Sequence, residues 1–142
     1  MNNPLAVRSI AARAQWEFDP SSPHAAEQVR SDLRRALETY ARTDALESLD
    51  MIYAELVSNA IRHAPGTIEM RFECTEIGGE VVLHLLDRGP GYRANSHLPA
   101  DVMSETGRGL FIISMFCDRF AVKRRSGGGS HTRIWFKPTD RE

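Results

Sequence analysis

The sequence has few of the features that would place it outside the ordinary globular proteins. It contains only two cysteines, Cys74 and Cys117, which lie in apolar stretches without metal-ligand spacing, so we expect buried free thiols in a reducing cytosol. No apolar run approaches the ~20 residues of a membrane helix, and the N-terminus lacks the apolar core of a secretion signal. Because 18 Lys and Arg nearly balance 19 Asp and Glu, no direct nucleic-acid or membrane partner is expected. These absences favour a cytoplasmic protein.

The composition is otherwise that of one folded domain. The chain has 142 residues, of which 42% are hydrophobic and 26% are charged, so it is large enough to bury a core without disulfides or metals. No repeat, low-complexity segment or linker divides it. We therefore expect a single domain over residues 1–142, with its core at about residues 23–136.

Apolar spacing and turn residues predict two successive helices. Ser22-Pro23 is typical of a helix start, with serine as the cap and proline in the first turn. The first helix is expected to run from Pro23 to Thr43. The second is expected over Asp44 to Ala64, where Pro65-Gly66 ends it.

Strands are predicted where apolar and polar residues alternate, or where a short apolar run lies between turn residues. The expected strands are a short one around Trp16 and Phe18, then Ile68 to Cys74, Val81 to Leu86, Phe120 to Arg125 and His131 to Lys137. Residues 92–105 have the polar character of a lid, and Leu110 to Phe116 is expected to be an apolar helix. This order predicts an α+β two-layer sandwich, with helices on one face of a mixed, mostly antiparallel sheet.

The second predicted helix carries the first candidate site. At about 100° per residue, its apolar residues fall on one side: Leu46, Leu49, Tyr53, Leu56, Val57, Ala60 and Ala64. The residues that crowd the opposite side are Glu55, Asn59, Arg62 and His63. A Glu-x-x-x-Asn pattern by itself is most simply a solvated helix face. With a nucleotide nearby, however, Asn59 fits as a Mg²⁺ ligand and Glu55 as the group that accepts a proton from an attacking hydroxyl. Arg62 would neutralise a phosphate, whereas His63 is either a ligand contact or a structural residue.

Two downstream motifs suggest that nucleotide. Asp87 follows a buried strand and suits recognition of an exocyclic amine such as adenine N6, while Gly89 and Gly91 would let the backbone approach the base. Gly107-Arg108-Gly109 at a helix entrance leaves backbone N–H groups that attract phosphate. Neither Rossmann nor Walker spacing is present. Each motif alone is an ordinary turn or hinge, but the three together predict a nucleotide pocket.

The same residues resemble those of a known family. Glu55 to Ala64 resembles the N box of the GHKL ATPase/kinase superfamily, in the form found in SpoIIAB/RsbW-type anti-sigma factors. Asp87-x-Gly89-x-Gly91 resembles its first glycine box, and Gly107-x-Gly109-Leu110 resembles its second. The resemblance covers about Pro23 to Phe136. It implies the Bergerat fold, with ATP and Mg²⁺ bound between the second helix, a lid and the sheet.

The resemblance also implies roles for individual residues. Asn59 would bind Mg²⁺, Glu55 would be the general base, and Asp87 would recognise adenine. The family often has hydroxyl residues near the adenine in its last strand, and whether Ser130 or Thr132 contacts the nucleotide stays open. The implied nucleotide-binding residues are Asn59, Arg62, His63, Asp87, Gly89, Gly91, Thr106, Gly107, Arg108, Gly109, Leu110, Ser130 and Thr132.

The function implied by the resemblance is that of a partner-switching protein-serine kinase. Such a kinase phosphorylates a STAS-domain anti-anti-sigma protein, sequesters a sigma factor or another regulator, and commonly forms a homodimer. One alternative is a sequestering module that binds nucleotide with little or no phosphotransfer. Another is an orphan histidine-kinase catalytic module, which would transfer phosphate to a histidine. The presence of Glu55 favours the serine kinase, because a pure binder would not need that carboxylate.

Overall fold

The described part of the chain contains two helices and five strands, in the order that the sequence patterns predict. The computed structural model describes residues 10–40, 44–75, 80–88, 113, 115 and 117–136. The elements in chain order are β1 (Ile10–Phe18), α1 (Pro23–Tyr40), α2 (Asp44–His63), β2 (Ile68–Thr75), β3 (Val81–Leu86), β4 (Cys117–Arg124) and β5 (Ser130–Phe136).

The start of α1 follows from its capping residues. The Ser21 N–H donates to Asp19 Oδ1 over 3.0 Å, which turns the chain after β1. Ser22 Oγ accepts the Ala25 N–H over 3.4 Å and thereby satisfies one of the free donors of the first turn. The predicted start at Pro23 is confirmed. The helix is described as far as Tyr40, and the last three residues of its predicted range lie outside the described residues.

The predicted end of α2 is also confirmed. The Ala64 N–H still donates to the Ala60 carbonyl over 2.8 Å, but the chain then leaves the helix. Gly66 has a φ of 115°, a left-handed conformation that residues with a side chain rarely adopt. Proline and glycine in succession therefore stop the helix and direct the chain into β2.

The five strands form one sheet in the order β1-β2-β3-β5-β4, and every pairing between them is antiparallel. β4 begins three residues before its predicted start, because a register shift between Cys117 and Arg119 interrupts the alternation on which the prediction depends. β1 is longer than the short strand expected around Trp16 and Phe18. Its first half mixes alanine and arginine, which hides the period of two.

The core lies between the helices and one face of this sheet, which confirms the expected α+β sandwich. Burial alternates strictly along β2 and β5, so each strand turns one face to the helices. Ile113 belongs to the same core, and it and Met115 are helical, as predicted for that segment. The largest fully buried side chains are Phe72, Leu33, Leu37, Leu49, Ile52, Ile68, Met70, Leu83, Ile113 and Ile134. Within the described ranges, no helix is long and apolar enough to cross a membrane.

The sheet face away from the helices carries a polar network. His84 Nδ1 lies 2.9 Å from His131 Nε2, and His84 Nε2 lies 3.1 Å from Glu73 Oε1. These contacts link β2, β3 and β5 across the sheet. On β4 and β5, the Arg119 guanidinium stacks 3.9 Å from the ring centre of Trp135.

Candidate functional site

The residues of the predicted polar side of α2 differ in burial. Asn59 is only 5% exposed, whereas Glu55 is half-buried and Arg62 is exposed. The prediction that Asn59 lies opposite the apolar side is wrong, because Ile52 also belongs to that side and is fully buried. Asn59 follows Ile52 by seven residues, which places the two only about 20° apart around the helix. Asn59 therefore lies at the margin between the core and the polar side.

The buried amide of Asn59 carries an acceptor that nothing in the described part of the chain satisfies. Its Oδ1 is fully buried and has no hydrogen-bond partner among the described residues. A buried acceptor in this state is costly and is uncommon in folded proteins. An amide oxygen is also a ligand type that Mg²⁺ accepts. Asn59 therefore fits the role of a cation ligand better than that of a core residue.

The last turn of α2 holds the other two predicted contacts. Arg62 and His63 both lie in this turn, where positive charge interacts favourably with the helix dipole. Arg62 is exposed and His63 is half-buried. Both residues thus lie about one turn after Asn59 along the same helix.

The second part of the site is built around Asp87. Val81, Leu83 and Leu85 turn into the core, and Asp87 continues this alternation two residues further along the chain. It is 5% exposed. Its N–H donates to the Ser130 carbonyl over 3.0 Å, and its Oδ1 accepts the Ser130 N–H over 3.1 Å. The first bond extends the β3–β5 pairing by one step, and the second orients the carboxylate.

The two hydroxyl residues of β5 lie on the helix-facing side of the sheet. Ser130 is 3% exposed and Thr132 is 5% exposed, in the same alternation that buries Ile134. Thr132 pairs with Leu85 of β3, two residues before Asp87 and on the same face of the sheet. The structure thus brings Ser130 to Asp87 through its main chain, with the Thr132 side chain on the same face.

The turn between β4 and β5 contacts Asp87, and no sequence pattern indicated this. Arg125 Nη1 donates to the Asp87 carbonyl over 2.8 Å. Gly129 has a φ of 92°, and a Cβ on it would lie 2.8 Å from both Asp87 C and Arg88 Cα and closer still to the Asp87 carbonyl oxygen. The glycine run predicted a turn, but the residues that this turn meets are distant in sequence.

The remaining predicted site residues lie outside the described residues, as does the predicted lid at 92–105. They are Gly89, Gly91, Thr106, Gly107, Arg108, Gly109 and Leu110. Within the described part of the chain, no group of three or more His, Cys, Asp or Glu side chains could hold a metal ion.

Comparison with known protein families agrees with the fold. No similar sequence is found among curated proteins. The family description "Histidine kinase-like ATPase domain" matches residues 20–136, which include every described element from α1 to β5. Membership of this family implies ATP binding. The chain belongs to the histidine kinase-like ATPase domain family.

Proposed function

We propose that the protein is an ATP- and Mg²⁺-dependent serine kinase, in which the polar margin of α2 and the ends of β3 and β5 bind the nucleotide. The observation that carries this proposal is the pair of buried polar groups at Asn59 and Asp87. The Asn59 acceptor has no partner among the described residues, and the Asp87 carboxylate is oriented by the Ser130 N–H. A cation would satisfy the Asn59 acceptor, and an exocyclic amine could donate a hydrogen bond to the Asp87 carboxylate.

The proposed roles follow from the chemistry of each group. Asn59 would hold Mg²⁺, which when bound neutralises charge on the phosphate oxygens. Glu55 lies one turn before Asn59 and is half-buried, so it faces the same margin of α2. It would accept the proton of a serine hydroxyl as that oxygen bonds to the γ-phosphorus and the bond to the ADP oxygen breaks. Arg62 would neutralise phosphate charge, and Asp87 would accept a hydrogen bond from adenine N6.

The proposed partners rest on the resemblance of the three motifs to SpoIIAB/RsbW-type proteins. The phosphorylated serine would belong to a STAS-domain anti-anti-sigma protein. The sequestered partner would be a sigma factor or another regulator, and the kinase would act as a homodimer in the cytoplasm. The presence of Glu55 supports phosphotransfer over simple sequestration, because nucleotide binding alone does not require a carboxylate at that position.

Phosphotransfer to a STAS-domain protein tests the proposal. The chain is incubated with Mg²⁺, labelled ATP and a STAS-domain protein encoded near it, and the product is tested for stability in acid. We expect acid-stable phosphoserine. Glu55→Gln should slow transfer about 10²-fold or more while leaving ATP affinity within about twofold, as expected for loss of a general base. Glu47→Gln, at an exposed position of the same helix, should transfer normally.

The other outcomes distinguish the alternatives. Tight ATP binding without transfer would identify a nucleotide-dependent sequestering module instead of a kinase. An acid-labile product would identify transfer to histidine. Absence of ATP binding by the folded protein would overturn the proposal as a whole.

A further inference from the structure

We infer that Arg125 and Gly129, on the turn between β4 and β5, set the base selectivity of the nucleotide site by fixing the position of Asp87. The inference rests on the proposed binding of adenine at Asp87. It assigns a positioning role to a turn that none of the three sequence motifs includes.

Two main-chain hydrogen bonds close the turn between β4 and β5. The Arg125 N–H donates to the Gly129 carbonyl over 2.9 Å, and the Gly128 N–H donates to the Arg125 carbonyl over 3.0 Å. The next residue, Ser130, begins β5 and makes two hydrogen bonds with Asp87, one through its carbonyl and one through its N–H. The turn therefore has a defined position relative to the end of β3.

Arg125 holds the Asp87 main chain from one side. Asp87 follows the last residue of β3, so its carbonyl lies beyond the regular β3–β5 pairing. The Arg125 guanidinium donates to this carbonyl over 2.8 Å. A hydrogen bond from a charged donor is stronger than a neutral one, and the planar guanidinium also fixes its direction.

Gly129 limits the position of Asp87 from the other side. Its backbone is packed so closely against Asp87 and Arg88 that an added Cβ would collide with their main-chain atoms. Those atoms are not the ends of flexible side chains, so the backbone itself would have to move. Gly128 offers the matched comparison, because its φ of 107° is equally left-handed but nothing lies within 4 Å of its Cβ position.

The expected consequence is selectivity for the base. A carboxylate accepts hydrogen bonds only, so it favours the 6-amino group of adenine and repels the 6-carbonyl of hypoxanthine. Hydrogen bonds lose strength when the donor–acceptor distance grows by a few tenths of an ångström or the angle departs from linearity. If Asp87 is displaced, the protein should therefore lose its preference for ATP over ITP. Contacts to ribose, phosphates and Mg²⁺ would not contribute to this preference, because both nucleotides would make them.

The test compares dissociation constants for ATP and ITP, measured with Mg²⁺ by calorimetry on the full chain. The wild type should prefer ATP by about tenfold or more, the discrimination expected of one hydrogen bond to a charged group. Arg125→Met and Gly129→Ala should each reduce this ratio to about threefold or less. Arg124→Met removes the same charge from an exposed neighbouring position, and Gly128→Ala introduces the same backbone strain, so both should keep the wild-type ratio. Circular dichroism and melting temperature without nucleotide establish that each variant is folded.

The outcomes separate this inference from the proposed function. A wild type that binds neither nucleotide would overturn the proposed function, and a wild type without ATP preference would overturn the role of Asp87. A wild type that prefers ATP, with the same ratio in folded Arg125→Met, would overturn the inference alone. If Gly129→Ala does not fold, Arg125→Met decides the question. Partial recovery of the ratio in Arg125→Lys is expected, because lysine keeps a charged donor.

Discussion

Replacing Asn59 by leucine should stabilise the nucleotide-free protein while abolishing its response to Mg²⁺-ATP. The side chain is 5% exposed and its Oδ1 has no hydrogen-bond partner among the described residues. A buried acceptor without a partner costs about 1–3 kcal/mol. Leucine has the same branching at Cγ and removes that cost, and it is also a better helix former than asparagine by a few tenths of a kcal/mol.

The expected gain is smaller than the sum of these contributions. Two methyl groups are bulkier than an amide, and overpacking a core position costs about 1 kcal/mol or more. We therefore expect the free energy of unfolding to rise by about 1 kcal/mol in Asn59→Leu. Ser58→Leu is the matched control, because it changes helix propensity at an exposed neighbouring position and should alter stability by less than about 0.5 kcal/mol.

Urea unfolding in EDTA, followed by thermal melting with and without Mg²⁺-ATP, measures both effects. A ligand at 100 times its dissociation constant stabilises the folded state by about 2.7 kcal/mol. Mg²⁺-ATP at that concentration should stabilise the wild type and Ser58→Leu by this amount, whereas it should not stabilise Asn59→Leu. An Asn59→Leu protein that is less stable without ligand and is still stabilised by Mg²⁺-ATP would refute the assignment of Asn59 as a ligand.

Three further predictions concern stability. Burial, followed by the neighbouring His84, lowers the pKa of His131 from 6.5 to about 4. The unfolded chain thus binds more protons than the folded one between these values. The free energy of unfolding should fall by about 1 kcal/mol, after discounting for solvent screening, as the pH is lowered through this range. In urea titrations at a series of pH values, the free energy of unfolding of His131→Gln should depend less on pH than that of the wild type. His24→Gln, at an exposed position, should match the wild type. Leu33→Ala should lower the free energy of unfolding by about 2–5 kcal/mol in the same assay, because Leu33 is fully buried. A decrease below about 1 kcal/mol would show that neighbouring side chains fill the cavity. Tyr53→Phe should lower the free energy of unfolding by about 1 kcal/mol, since the Tyr53 hydroxyl donates to the Ala26 carbonyl over 2.6 Å and links α2 to α1. An unchanged free energy of unfolding would show that this hydrogen bond makes no net contribution to stability.

Local patterns were sufficient for most of the fold. The period of the apolar residues predicted α2 and β2, and Ser22 and Gly66 marked helix ends that the structure confirms. These features depend on neighbours within a few residues, which is the range over which helix capping and side-chain alternation act. The pattern failed where an irregularity broke the period, as in the register shift at the start of β4.

The error at Asn59 has a related cause. A helical projection that omits Ile52 places Asn59 opposite the core. Because Ile52 is buried, the buried side of the helix is wider than that projection indicates and extends to Asn59. The width of a buried helix face depends on what packs against it. Sequence periodicity supplies the centre of that face but not its margins.

The sequence by itself determined the two-layer fold class and nominated Asp87 and Asn59 as polar residues of interest, because both depend on local chemistry and spacing. Only the tertiary structure decided what surrounds them. The pairing of β3 with β5 brings the Ser130 N–H to the Asp87 carboxylate, and the β4–β5 turn brings Arg125 and Gly129 against its main chain. Such contacts join residues far apart in the chain, so they depend on strand register and on the closeness of two backbones, which no local pattern encodes.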